Sequence, residues 1–123
     1  MKFKYWLATF AYCAFLYWLS SISHPVGADI RIPGLDKSVH MLLYGVLTAI
    51  VSLGIHRSPR KAPRWVQVFG PIAVAVAYGM FDEWHQLFVP LRSFDPYDLM
   101  ADAAGAVLVQ LFLCGYLWRG ERR

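Results

Sequence analysis

Three short stretches of this sequence gather the side chains that can move a proton or hold an anion. The first is Asp36-Lys37-Ser38-Val39-His40, followed by Tyr44. The second, Asp82-Glu83-Trp84-His85-Gln86, runs on to Arg92. The third carries Asp95, Asp98 and Asp102. On a helix, Asp36, His40 and Tyr44 stand at i, i+4 and i+8 and form one stripe. Asp95, Asp98 and Asp102 follow i, i+3 and i+7, and Gly105 continues their face. Tyr78, Asp82 and either His85 or Gln86 share a third face, with Gly79, Glu83 and Gln86 on the one beside it.

These residue types suit general acid–base work or recognition of an anionic head. Glu83, His85, His40 and Asp98 are the catalytic candidates. Glu83 or His85 would serve as general base, and His40 or Tyr44 would assist proton transfer, because imidazole titrates near neutrality. Arg92 and Lys37 would hold a phosphate or carboxylate, Arg92 through its bidentate fork. Asp36, Asp82, Gln86, Tyr44 and Asp102 complete the substrate-binding set. No Ser–His or Cys–His pairing supports a covalent mechanism, and Ser93 beside Arg92 is the weakest of nucleophiles. A metal-bound variant would draw on His40, Asp82, Glu83 and His85. However, no His-Glu-x-x-His motif occurs and the two histidines fall on different helices, so no metal is assigned. The sequence names no cofactor.

Four apolar stretches must position these groups, at about 5–21, 38–55, 65–85 and 97–118. Of the 123 residues, 58% are hydrophobic, and the mean hydropathy is +0.41. That is unusual for a water-soluble domain of this size. Crossing a bilayer as a helix takes roughly 20 apolar residues. The expected fold is therefore all-α, an integral-membrane four-helix bundle forming one domain over residues 1–123. The apolar start after Lys2 and Lys4 reads as the first of these helices rather than a cleaved signal, since three further spans follow it. Its aromatics, Tyr5, Trp6, Phe10, Tyr12, Phe15, Tyr17 and Trp18, suit interfacial belts.

Charge sets the orientation. Lys2 and Lys4, then Arg57, Arg60, Lys61 and Arg64, then Arg119, Arg122 and Arg123 flank one side of the spans. Asp29, Asp36, Asp82, Glu83, Asp95, Asp98 and Asp102 lie on the other, with Arg31, Lys37 and Arg92. Short basic segments stay in the cytoplasm, so both termini are expected there, and the chemically capable residues face outward. The net charge of +4 follows from these topology signals. Nucleic acid is excluded as a partner, because no soluble module offers a groove. Cys13 and Cys114 fall inside separate spans and are read as packing residues, not a disulfide.

Taken in order, Asp36-Lys37-x-x-His40-x-x-x-Tyr44, then Asp82-Glu83-x-His85-Gln86-x-Phe88-x-Pro90-x-Arg92, then Asp98-x-x-x-Asp102-x-x-Gly105 resemble the VanZ-like family. Ser20-Ser21 also fits the resemblance. It implies a small multi-pass protein of the bacterial inner membrane, of a kind associated through its founding member with low-level teicoplanin resistance. Family members often carry Asn where this chain has Asp102, so the aspartate adds a charge, and Asp102→Asn is expected to be tolerated.

Three activities compete on this reading. The first is an outer-face enzyme acting on a lipid-linked or cell-wall substrate. The second is a binder of a cell-wall precursor, a lipid headgroup or the glycopeptide itself, in which Trp84, Phe88 and Pro90 give the polar pocket an apolar rim. The third is a proton or ion pathway, which the sequence disfavours because no polar residues continue convincingly to the cytoplasmic end. Membrane lipids are expected partners of any such chain. The small residues Ala101, Ala103, Ala104, Gly105 and Ala106 would let helix four pack closely, either within the monomer or against a second copy.

Overall fold

The computed structural model describes residues 2–21, 35–89 and 96–121. All regular structure among them is helical: α1 Phe3–Ser20, α2 Leu35–His56, α3 Arg64–Gln86 and α4 Pro96–Glu121. These bounds exceed the expected ones mainly at polar ends. Helix α2 starts three residues before Ser38, and α4 runs on past Trp118, because helical hydrogen bonding continues where apolarity stops. Pro96 opens α4, where its missing N–H costs nothing.

Helices α2 and α4 pack most extensively, α3 lies against both, and α1 flanks α2 with a lighter contact to α3. Leu16, Tyr44, Leu47, Val51, Ala75 and Ala106 form the buried apolar centre. Two tyrosines tie α1 to its neighbours through the backbone. Tyr12 donates to the Leu43 carbonyl at 2.6 Å, and Tyr78 donates to the Cys13 carbonyl at 2.6 Å. Both cysteines are free thiols, as expected.

Polarity is distributed opposite to that of a water-soluble bundle. Asp82, Glu83, Gln86, Asp98, Asp102 and Gln110 are buried, while Trp65, Phe69, Leu108 and Phe112 point outward and are more than half exposed. Apolar side chains facing out and polar ones facing in suit a lipid surround. Three helical segments are long and apolar enough to cross a membrane: Lys37–His56, Arg64–Gln86 and Pro96–Arg119, with mean hydropathies of 1.8, 1.3 and 1.6. Helix α1 is not among them. Its 18 residues rise about 27 Å, but Lys4 and five Tyr or Trp side chains lower its apolarity.

A proline inside α3 shows how the bundle satisfies its backbone without water. Pro71 has no N–H for the carbonyl of Gln67, four residues earlier, and in a membrane helix a freed carbonyl needs another donor. Gln110 of α4 supplies it, its Nε2 donating to the Gln67 carbonyl at 2.7 Å. This bond joins the first turn of α3 to α4, towards the end of the bundle opposite the buried carboxylates.

Candidate functional site

The start of α2, the end of α3 and the start of α4 meet at one end of the bundle. Each contributes one helical face. From α2 come Lys37, His40 and Tyr44; from α3 come Asp82, Glu83 and Gln86; from α4 come Asp98 and Asp102. The four carboxylates and Gln86 are all at most 8% exposed. Three cross-helix pairs hold them. Lys37 Nζ is ion-paired with Asp98 Oδ1. His40 Nδ1 lies 2.8 Å from Asp102 Oδ1. The Tyr44 hydroxyl donates to Asp82 Oδ2 at 3.0 Å. The His40 and Tyr44 rings lie parallel, 1° apart in plane and 6.4 Å between centroids.

Two glycines make the convergence sterically open. A Cβ at Gly79 would stand 3.0 Å from Asp102 Oδ2 and 3.3 Å from Leu99, so the bare backbone of α3 is what admits the α4 carboxylate. A Cβ at Gly105 would stand 2.7 Å from the Met41 Cα, so α2 and α4 touch one residue beyond His40. That contact fixes His40 against Asp102. Asp102 Oδ2 is buried and has no hydrogen-bond partner among the described residues, which leaves acceptor capacity inside the cluster.

Chemically, the arrangement offers carboxylates at several orientations around one imidazole. With Asp102 accepting from Nδ1–H, the remaining ring nitrogen of His40, Nε2, faces Asp98 Oδ2 at 3.8 Å, beyond hydrogen-bond reach. One atom each from His40, Glu83 and Asp98 falls within 4.8 Å of the others, so these three are the residues placed to share a cation. The metal-bound variant read from the sequence named His40, Asp82, Glu83 and His85. The geometry groups Asp98 with His40 and Glu83, and gives Asp82 to Tyr44.

His85 is placed apart from this cluster. Its ring stacks on Tyr17 with 4.4 Å between centroids, and its Nε2 lies 3.0 Å from Ser21 Oγ. Helical geometry gives the reason: His85 is one residue past Trp84 and points towards α1, while Gln86 turns inward. Helix α1 therefore reaches the polar end through Tyr17 and Ser21, a connection that the spacing of polar residues within one helix does not reveal. Arg92, Ser93 and Asp95 lie outside the described residues, and so does the Asp36 side chain, although residue 36 belongs to α2.

The sequence reading also needs correction on how far polarity extends. The stripe of α2 does not stop at Tyr44. Thr48 and Ser52 continue it at the same four-residue step, both buried, and His56 follows at the helix end, lining a shallow cavity with Ser52, Gln67 and Cys114. Short hydroxyls escape notice in an apolar run because they bond their own helix. Thr48 Oγ1 donates to the Tyr44 carbonyl at 2.8 Å, a local bond of the kind Ser and Thr form inside helices.

With three apolar helices enclosing a buried cluster, the chain can be set against known families. A family profile described as VanZ/LLP1 matches residues 3–118. The chain belongs to the VanZ/LLP1 family. The match reaches all four helices, α4 as far as Trp118, and takes in every described residue of the cluster. No curated protein and no solved structure matches the chain. Family membership and three segments long and apolar enough to cross a membrane together make this a membrane protein of the VanZ/LLP1 family, with four carboxylates buried at one end.

Proposed function

We propose that the cluster is an outward-facing site of a bacterial inner-membrane protein, built to take the anionic headgroup of an envelope amphiphile. Lipid-linked wall precursors and acylated glycopeptides such as teicoplanin have this chemistry. The observation that carries the reading is the convergence of Lys37, His40 and four buried carboxylates from three helices at one depth. An ion-pair network that only pinned helices together would not need this many carboxylates. Lys37 and Arg92 would meet the anionic head, and Glu83, His40 and Asp98 would place and exchange protons on it. The outward apolar face of Trp84 and Phe88, 56% and 71% exposed, gives the acyl part a surface beside the polar mouth. In this reading α1 also crosses the membrane and both termini are cytoplasmic, since Lys2, Lys4, Arg57, Arg60, Lys61, Arg64 and Arg119 lie at the ends of the helices opposite the cluster.

Orientation is tested by thiol labelling in a background with Cys13→Ser and Cys114→Ser. A cysteine at Ser93→Cys is expected to react with an impermeant maleimide in intact cells, and one at Ser58→Cys only after permeabilisation. The reverse pattern would remove the outward site.

Function is tested by teicoplanin susceptibility in a Gram-positive host expressing the chain, with membrane levels matched by blot. Wild type is expected to raise the inhibitory concentration, and Glu83→Gln and Arg92→Ala to abolish that gain. Full protection by both variants would make the cluster structural. No protection by wild type would sever this chain from the glycopeptide part of the proposal.

A further inference from the structure

We propose that His40, Glu83 and Asp98 form a binding site for one divalent transition-metal cation, with Asp102 orienting the histidine. The ligand set, one imidazole and two carboxylates, is that of Zn2+ or Mn2+ rather than of a soft thiolate-seeking metal.

Four observations converge on it. One ligand atom from each of the three residues lies within 4.8 Å of the other two. The His40 Nε2 to Asp98 Oδ2 separation, 3.8 Å, is too long for a hydrogen bond. It is close to the spacing of two ligands held about 2.1 Å from a common ion in a tetrahedral site, roughly 3.4 Å. The third observation is the tautomer. Metal-ligating histidines almost always donate their other ring N–H to a carboxylate or carbonyl. His40 Nδ1 has such a partner in Asp102 Oδ1 at 2.8 Å, an orientation that turns Nε2 towards Asp98.

The fourth is charge. Asp82, Glu83, Asp98 and Asp102 are all buried, and Lys37 is the one Lys or Arg at this end among the described residues. Carboxylates removed from water require compensation by positive charge. Asp102 Oδ2 is wholly buried and has no hydrogen-bond partner among the described residues. Lys37 takes Asp98 Oδ1 and leaves Oδ2 for the ion.

Three protein ligands leave at least one coordination position open, as in catalytic rather than structural metal sites. The role of that position rests on the headgroup site proposed above, with His40, Glu83 and Asp98 then holding the ion in place of exchanging protons: a phosphate or carboxylate oxygen of the headgroup would occupy it. The ligands come from three different helices, so binding would also draw α2, α3 and α4 together at the mouth.

The test uses the full-length chain purified in detergent with an affinity tag free of histidine, stripped of metal and titrated with Zn2+ in the absence of any substrate. Wild type is expected to bind one Zn2+ per chain by calorimetry and by elemental analysis after desalting. His40→Ala and Asp98→Asn are expected to lose that binding. Asp102→Asn keeps an acceptor for Nδ1 but removes its charge, and, in contrast to the tolerance expected from the family resemblance, is expected to weaken binding roughly 10- to 100-fold, the usual effect of losing such a partner. His85→Ala, against α1, is expected to bind as wild type does.

Co2+ loaded into wild type reads the ligands without any variant. Weak visible d–d bands with no thiolate charge-transfer band are expected. A monodisperse, helical wild type that retains no ion, or binding lost in His85→Ala but kept in His40→Ala, would overturn the metal site. Because these readouts need no headgroup and no cell, their failure leaves the susceptibility experiment to judge the proposed function separately.

Discussion

Gly105→Ala is expected to destabilise the bundle more than any other single-methyl change. The added Cβ would stand 2.7 Å from the Met41 Cα and 2.8 Å from its carbonyl carbon, both backbone atoms of a buried helix. A side chain could rotate away, but a backbone can give way only if α2 and α4 separate, and theirs is the most extensive helix contact in the molecule. Small residues at helix crossings serve this close approach in membranes. Overpacking of this kind costs about 1–3 kcal/mol, and Gly105→Val should cost more.

Two other glycines act as internal controls. At Gly45 the added Cβ meets the Val109 Cγ2 at 2.8 Å. That is a methyl group on a stiff β-branched side chain, so an intermediate loss is expected. At Gly115 nothing lies within 4 Å, and alanine should stabilise the helix by up to about 1 kcal/mol through propensity alone. Thermal unfolding in detergent checks the series. Gly105→Ala should melt at least about 4 °C below wild type, and Gly115→Ala at or above it. Equal melting of the two alanine variants would mean that the α2–α4 crossing is not set by Gly105. Since Met41 follows His40, the same separation would carry His40 away from Asp102, so Gly105→Ala should lose function along with stability.

The sequence made the helices legible because long apolar runs leave no alternative, and it made the three polar faces legible because helical periodicity is local. Asp98, Asp102 and Gly105 do share one buried face, and His40 and Tyr44 share another. Local spacing cannot say which face meets which. It left His85 and Gln86 as equal candidates for the interior, and the packing of α1 decided between them, since Tyr17 offers His85 a ring to stack on. Nor does periodicity pair charges across helices. Lys37 with Asp98 and His40 with Asp102 are 61 and 62 residues apart, and only the α2–α4 crossing joins them. Thr48 and Gln110 were hidden for a different reason: each is a single polar residue in an apolar run whose side chain donates to a backbone carbonyl, so neither adds to a visible cluster.

Exchanging the partners of the Lys37–Asp98 pair should separate the two roles that a buried ion pair can play. Lys37 Nζ is bonded to Asp98 Oδ1, and the same carboxylate presents Oδ2 towards His40 Nε2 at 3.8 Å. Lys37→Met would leave Asp98 buried without its cation. Removing one partner of a fully buried pair costs about 3–5 kcal/mol, but the Lys37 side chain is 36% exposed. Water screens what remains, so about 1–2 kcal/mol is expected. Teicoplanin protection should be lost as well.

The double variant Lys37→Asp with Asp98→Lys restores an ion pair between the same two helices with its sense reversed. It should recover part of the lost melting temperature. Recovery should be incomplete, because residue 98 lies in the first turn of α4, where the helix dipole favours an anion over a cation. Function should not return, since the group facing His40 Nε2 is then an ammonium, which can neither coordinate a cation beside the imidazole nor accept a proton from it. If the pair served only to pin α2 to α4, the exchange would restore stability and protection together. Recovery of both at matched membrane levels would therefore assign the cluster a purely structural role, whereas recovery of stability alone requires the carboxylate at position 98 for what it does beside His40.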